Sequence, residues 1–346
     1  LMKIGIIGAG FFGIAAAIKL KEKFKDSKIH IFDKKNQILS GSSGKNQFRW
    51  HKGYHYPRSQ ETISECLESY NSFKKYLNKF TLNTENYYAI AKRRSLTNQR
   101  QFTKICKKNK LYLKKTKLNL LKEKKISSVF KVKEEILNIK SVKHFLKRYL
   151  KKKKIVLHLN YKVRNIKKLS KDFDKLILAT YSDNEFLTSE IIQKNVKFQL
   201  VEKIVVKVPD IYKKKSIVVL DGNFMCIDPY HIKSHSLLGS VKDSIIKESI
   251  GKPLSLTKLE KNYLNKEFVK KPVKSKFKQI KKKFNSFFNY FDDVEYAGSF
   301  FVIRCTKITK EDARKSEIQK SGKIIKIFSG KWVSCFKVAE KLTRII

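Results

Sequence analysis

The sequence predicts an α/β fold in which a parallel sheet with helical crossovers is joined to an α+β part built on an antiparallel sheet. Three observations carry this expectation. An apolar run at Met2–Ile7 is followed by a glycine turn, a helical pattern and a second β-rich run, the order of a βαβ unit. A second buried strand pattern, FDKLILATYS, ends near Ala179, far from that unit in the chain. Further β-rich segments with short connections lie downstream, as a separate antiparallel sheet requires.

Each element follows from its local pattern. Met2–Ile7 and Ile29–Phe32 read as strands on either side of a helix over Ile14–Phe24, which implies a parallel pair with a right-handed crossover. Ser40–Ser59 shows no clean period and is dense in Gly, Ser, His, Tyr and Arg, so it reads as an irregular functional loop. Glu61–Lys79 and Val142–Leu150 read as helices. Ile155–Leu159, Tyr161–Ile166 and Lys175–Ala179 read as strands, as do Ile204–Val208 and Ile217–Leu220 ahead of DGNFMCIDPY. Phe277, Ile280, Phe284, Phe287 and Phe291 recur at helical spacing with lysines between them. Core packing explains that stripe, with a membrane-surface helix as the alternative.

A chain of 346 residues has room for two joined domains and a sizeable core. Hydrophobic residues make up 41% and charged residues 32%, with no unbroken apolar stretch long enough to cross a bilayer. Structure starts at the N-terminus itself, which does not look like a cleavable signal. The net charge of +49 invites a nucleic-acid reading. Only ten of the 79 basic residues are arginine, however, and the lysines are spread along a chain rich in Ile, Asn, Phe and Tyr. Codon bias accounts for such lysines without a partner, and lysine runs are usually solvated faces. Nucleic acid therefore ranks behind a small molecule as the expected partner. The five cysteines are widely separated and never form C-x-x-C, which supports neither a disulfide framework nor a zinc site and suits a reducing cytoplasm.

Gly8-Ala9-Gly10-Phe11-Phe12-Gly13 fits G-x-G-x-x-G, and its setting between strand and helix strengthens it. Gly8 permits the tight turn, Gly10 lets backbone approach a pyrophosphate, and Gly13 lets helix and strand pack closely. The helix start offers free N–H groups and a positive dipole end to a diphosphate. Asp33 lies twenty residues beyond Gly13, the spacing of the acid that accepts hydrogen bonds from a ribose. The fingerprint serves FAD and NAD alike. The βαβ unit, however, gives way at Ser40 to a polar loop, and sheet-like sequence resumes only near Ile155, which points away from a contiguous nicotinamide domain.

Three stretches then resemble the D-amino-acid-oxidase-like FAD oxidoreductases, which include glycerol-3-phosphate and 2-hydroxyglutarate oxidising enzymes: KIGIIGAGFFGIAAAIKL with FDKK, then GSSGKNQFRWHKGYHYPRS, and LILATYS paired with SGKWVSCFKVAEKL. The resemblance implies a Rossmann-like FAD-binding domain interleaved with an antiparallel-sheet substrate domain. The FAD-binding parts fall at 1–86, 151–190 and 306–346, and the substrate parts at 87–150 and 191–305. It also implies FAD contacts at Gly8, Gly10, Phe12, Gly13, Asp33, Lys34, Ser43, Gly44, Asn46, Gln47, Val163, Ala179, Thr180, Gly330 and Lys331. Gly330 and Lys331 precede the apolar-periodic Val333–Leu342, where a helix N-terminus would stabilise charge on a reduced flavin.

Chemistry concentrates in RWHKGYHYPRS. Oxidation of a C–H bearing a hydroxyl or amine needs hydride delivery to flavin N5 and a base for the heteroatom proton, and histidine suits the second task. The position of His51 in the resemblance makes it first choice and His55 second, a histidine that only bonds the flavin being the alternative. Tyr54 and Tyr56 are candidate substrate contacts. Arg58 and Arg304 are candidate partners for a substrate carboxylate or phosphate, because guanidinium presents paired donors in a plane. Arg314, in EDARKSE, reads as a solvated helix residue. The expected activity is oxidation of a small hydroxy or amino compound, with a flavin mutase or tRNA-modifying flavoprotein, or a basic nucleic-acid-binding protein, as alternatives. The sequence names no electron acceptor.

Overall fold

The apolar run at the N-terminus becomes the centre of a parallel sheet because it can be buried on both faces. Our computed structural model describes residues 1–182, 195–309 and 313–346. Strand Lys3–Ile7 pairs in parallel with Lys28–Phe32 on one side and Lys175–Leu178 on the other. Val156–His158 and Ile324–Phe328 extend the sheet outward, also in parallel, and Glu317–Ser321 forms an antiparallel edge. Helix Phe11–Lys23 crosses one face, where Ala15, Ala16 and Ala17 are fully buried and let it lie close to the strands and beside helix Cys335–Ile345. Residues far apart in sequence thus complete one sheet.

A second sheet is mainly antiparallel. Its long strand Val196–Lys207 pairs along nearly its whole length with Glu295–Lys307, and on its other edge with Ile245–Ile250 and His235–Ser240. Met225–Pro229 and Lys215–Leu220 follow, and Lys215–Leu220 runs parallel to Glu85–Ala91. Ile126–Val132 and Leu113–Thr116 close that side of the sheet. A small third sheet joins Arg49–Trp50 and Thr81–Leu82 to Glu135–Leu137. It pins the polar loop between the two larger sheets.

Two expectations need correction. Tyr161–Ile166 is not a strand: the amides of Asn160 and Tyr161 donate to the carbonyls of Lys35 and Asp33, folding this stretch over the end of Lys28–Phe32. Asn165 then caps a short helix, Ile166–Ser170. The aromatic stripe is core, as its apolar spacing suggests, but helix Phe277–Asn285 stops before Phe287, and Phe288 and Phe291 enter the same cluster as Phe284 from the following turns. All five cysteines are buried free thiols. Among the described residues no helix is long and apolar enough to cross a membrane.

Candidate active site

A cavity of about 1040 Å³ lies where the glycine turn, the polar loop and the antiparallel sheet converge. Small-molecule sites span about 300–1,000 Å³, so this one is at the large end of that range. Its lining is strongly cationic. Among the described residues Asp33 is the one carboxylate along it, against Lys34, Lys35, Lys45, Lys203, Arg304, Lys331 and further basic side chains.

The glycine turn shows why its residues are small. Gly8 sits at φ 109°, a left-handed conformation that other residues resist, and a Cβ there would lie 2.4 Å from the Ala179 carbonyl oxygen. A Cβ on Gly13 would lie 1.9 Å from the Gly8 carbonyl oxygen, so its absence lets helix and turn touch. Gly10 is different: its added Cβ would meet only the Ser43 hydroxyl, at 3.0 Å, and would project into the cradle. That hydroxyl accepts a hydrogen bond from the Phe11 N–H at the helix start. Asp33 accepts from the Ala9 and Lys35 amides at 2.7 and 2.8 Å, which fixes its carboxylate beside the turn. Phe12, Lys34, Val163, Ala179 and Thr180 join it in the lining.

The polar loop contributes two kinds of residue. Asn46 spends its side chain on the loop itself, donating to the Ser42 and Ser43 carbonyls and accepting from the Phe48 amide, although it also lines the cavity. Gly44 lies outside the lining, and a Cβ there would lie 1.9 Å from the Leu39 carbonyl oxygen, so its role is in closing the loop. Gln47 reaches the cavity, and its buried Oε1 lacks a hydrogen-bond partner, an acceptor suited to a ligand donor.

His51 and His55 lie with ring centroids 5.0 Å apart, and both face the cavity. Burial, followed by the charges of Lys331 and Arg49, pushes His51 well below the usual histidine range. His55 is lowered in the same way by burial, by His51 and by those cations. Both shifts favour the neutral form of the ring. Tyr56 lines the cavity beneath Lys331, whose ammonium lies 4.5 Å from its ring centroid. Burial pushes the Lys331 ammonium down to about 8.

Several expected residues lie elsewhere. Tyr54 is packed in a hydrophobic cluster, its hydroxyl donating to the Tyr112 carbonyl, and does not line the cavity. Arg58 pairs with Asp221 at 2.8 Å, outside the lining, where Asp221 also takes the Thr97 hydroxyl. A turn closed by Tyr56 N–H on the Gly53 carbonyl separates these side chains from the histidines. Arg304 does line the cavity, held by its Nε donating to Gln199 at 2.7 Å. Arg314 lines it as well and lies on no helix; its amide donates to Thr62. Gly330 fits a tight spot where a Cβ would lie 2.1 Å from the Arg314 carbonyl oxygen. The turn Trp332–Ser334 and helix Cys335–Ile345 follow it.

Sequence reasoning passed over a buried charge cluster and one lysine. Arg49 bridges Glu134 and Asp228, all three side chains essentially without solvent contact, with Tyr88 and Ser216 donating to the two carboxylates. Lys203 faces the cavity from the long strand, while Glu202 on the opposite face takes hydrogen bonds from Ser275 and Lys276. The Lys203 ammonium makes no hydrogen bond or ion pair among the described residues; burial and then the repulsion of Arg304 push it down to about 8, against a smaller attraction from Cys226 and Asp228. The signal for each was a charged residue inside an otherwise apolar β-rich run, in VEKIVVKV and MCIDP.

These residues fit FAD on structural grounds: a cradle that any Cβ at Gly10 would fill, an anchored acceptor at Asp33 and an orphaned acceptor at Gln47. Comparison agrees. The family described as FAD dependent oxidoreductase (DAO) matches residues 3–232. The fold is shared with glycine oxidase from Geobacillus kaustophilus (TM-score 0.70, 10% identity, covering 99% of this chain and 94% of that one). L-proline dehydrogenase from P. horikoshii gives TM-score 0.73 at 12% identity, covering 99% and 92%. In sequence, the FAD-dependent monooxygenase kojA of Aspergillus flavus is 38% identical over 72 residues, a match spanning 21% of this chain and only 16% of that protein. The FAD-dependent monooxygenase FPY4 of Fusarium mangiferae is 20% identical over 99% of this chain and 90% of its own length. With a family match across most of its length, the chain belongs to the DAO family of FAD-dependent oxidoreductases, and its cofactor is FAD.

Proposed function

We propose that this protein oxidises a small hydroxy or amino compound carrying an anionic group. The observation that carries this reading is the pairing, in one cavity, of two buried neutral histidines with the unpartnered Lys203 and its neighbour Arg304. The glycine turn and Asp33 would hold the diphosphate and ribose of FAD, with Ser43 and Gln47 alongside. When bound, FAD supplies the acceptor for the two electrons and hydrogen leaving the substrate carbon as a hydride. The rest falls to the chain. His51, neutral because it is buried among cations, takes the heteroatom proton as the carbon–heteroatom double bond forms, with His55 as second candidate. Lys203 and Arg304 would bind the substrate anion, fixing which C–H faces the cofactor. A buried ammonium needs a counter-charge, and a substrate carboxylate or phosphate provides one.

Anaerobic mixing with 2-hydroxy acids, amino acids and sugar nucleotides, followed by visible absorbance, tests this. Anionic substrates should bleach the yellow protein and their uncharged esters should not. His51→Ala should retain flavin while its reduction slows by about 10²–10⁴. Normal reduction in that variant would remove His51 from the base role.

The name of the Fusarium relative favours a second reading, monooxygenation. In that case bleaching requires a nicotinamide reductant, not the organic substrate alone, and oxygen from O2 appears in the product.

A further inference from the structure

A neutral histidine carries one proton, and it can act as a base toward the cavity only if that proton sits on the nitrogen facing away. At His51 the nitrogen that lies toward Glu134 is Nδ1. It is buried and has no hydrogen-bond partner. The facing acceptor is Oε1 of Glu134, 3.8 Å away on the link between strands Ile126–Val132 and Glu135–Leu137. Glu134 is rigidly placed: Arg49 donates to Oε2 at 3.3 Å, the Tyr88 hydroxyl to Oε2 at 2.7 Å, and the Lys52 amide to Oε1 at 2.9 Å. Three donors, two from the polar loop and one from strand Glu85–Ala91, thus hold the carboxylate with one oxygen toward an orphaned ring nitrogen.

We infer that Glu134 is a positioning residue that keeps the proton of His51 on Nδ1, leaving Nε2 as the acceptor for the substrate proton. The inference rests on the base role proposed above. Movement of the ring by somewhat under 1 Å turns the 3.8 Å approach into an ordinary hydrogen bond. Apo geometry of catalytic groups is often loose in this way and tightens when a ligand fills the site. The other groups around the ring cannot substitute. Arg49 and Lys331 are cations and accept nothing, His55 lies tilted at 51° with its centroid 5.0 Å away and makes no hydrogen bond to it among the described residues, and Tyr56 meets it edge-on at 5.6 Å between centroids. Arg49 already pairs with Glu134 at 3.3 Å, so the part of the carboxylate here is to orient the ring.

Glu134→Gln discriminates. Its amide oxygen would go to the two donors Arg49 and Tyr88 at the expense of the single Lys52 amide, which turns the NH2 group toward His51 Nδ1 and drives the ring proton to Nε2. Nitrogen-15 NMR of histidine-labelled, FAD-loaded protein reads the tautomer directly, and the His51 signal is identified by its loss in His51→Ala. We expect Nδ1–H in the wild type and Nε2–H in Glu134→Gln, with flavin retained and flavin reduction slowed about 10²–10⁴-fold. Wild-type protein with the proton on Nε2, or a folded, yellow Glu134→Gln protein with an unchanged tautomer, would overturn the inference. A tautomer that switches with no loss of rate supports the inference and instead sinks the base role. Should Glu134→Gln not fold, the wild-type spectrum decides, together with Glu134→Asp, which keeps the charge beside Arg49 but withdraws the acceptor and should give a mixture of tautomers.

Discussion

Gly10→Ala separates cofactor binding from folding more cleanly than any other change at the turn. Gly10 has φ −80°, a backbone conformation alanine adopts freely, and its added Cβ would meet only the Ser43 hydroxyl, at 3.0 Å. Rotating that hydroxyl away gives up its bond from the Phe11 amide, a cost of about 0.5–1.5 kcal/mol to the fold. The diphosphate has no such freedom. Forced outward by a methyl group, it loses its closest contacts with the backbone amides at the helix start, and each hydrogen bond to a charged group contributes about 1.5–3 kcal/mol. Loss of two such bonds amounts to about 3–6 kcal/mol, or a 10²–10⁴-fold weaker FAD affinity at about 1.4 kcal/mol per tenfold. Titration of apoprotein with FAD, read by flavin fluorescence and paired with thermal denaturation of the apoprotein, measures both quantities. Gly13→Ala is the contrast: its Cβ would lie 1.9 Å from a backbone oxygen, so apoprotein stability should fall along with FAD binding. Unchanged FAD affinity in a folded Gly10→Ala protein would refute the assignment of the diphosphate to this turn.

Two further outcomes follow from the buried charges. The Lys203 pKa, lowered to about 8, makes its ammonium available below that pH and not above it, so kcat/KM for an anionic substrate should fall as pH rises through about 8. Lys203→Arg, which stays charged, should remove that alkaline limb; a limb that persists assigns it to another group. Linkage has the opposite sign in the ligand-free protein, because a lysine depressed by folding contributes stability fully above 10.5 that is lost as pH falls through about 8. Arg49→Met would strand Glu134 and Asp228, both fully buried, without their cation, and should cost about 3–5 kcal/mol in denaturant unfolding. A loss below about 1 kcal/mol would show that the cluster tolerates its own repulsion.

The parts of the site legible in the sequence are those whose logic is local. Gly8, Gly10, Gly13 and Asp33 act within one βαβ unit, and their spacing alone brings them together. The parts that escaped depend on long-range convergence: Arg49 meets Glu134 across 85 positions and Asp228 across 179. Crowding in sequence also misled. Tyr54 and Arg58 sit within a few residues of His51 and His55, yet a turn at Gly53, with φ 111°, sends them to the core and to Asp221. Tyr161–Ile166 failed for a related reason. Its residues suit a strand, but its amides find partners at the end of the neighbouring strand before a ladder can form.

The same distinction between composition and placement settles how the positive charge should be weighed. A net charge of +49 is a property of the whole chain and says little about any one lysine. Burial is what discriminates. Lys45, Lys203 and Lys331 are pushed down to about 8 chiefly by desolvation, a cost that a merely solvated lysine never meets. Their environments then diverge. Lys45 reaches the Lys266 carbonyl, Lys331 lies over the Tyr56 ring, and Lys203 has only the smaller attraction of Cys226 and Asp228 against its burial. All three line one cavity of limited volume, which supports the small anionic substrate proposed above. An extended polyanion would have to be met by the exposed lysines outside, where binding discriminates by salt and not by structure.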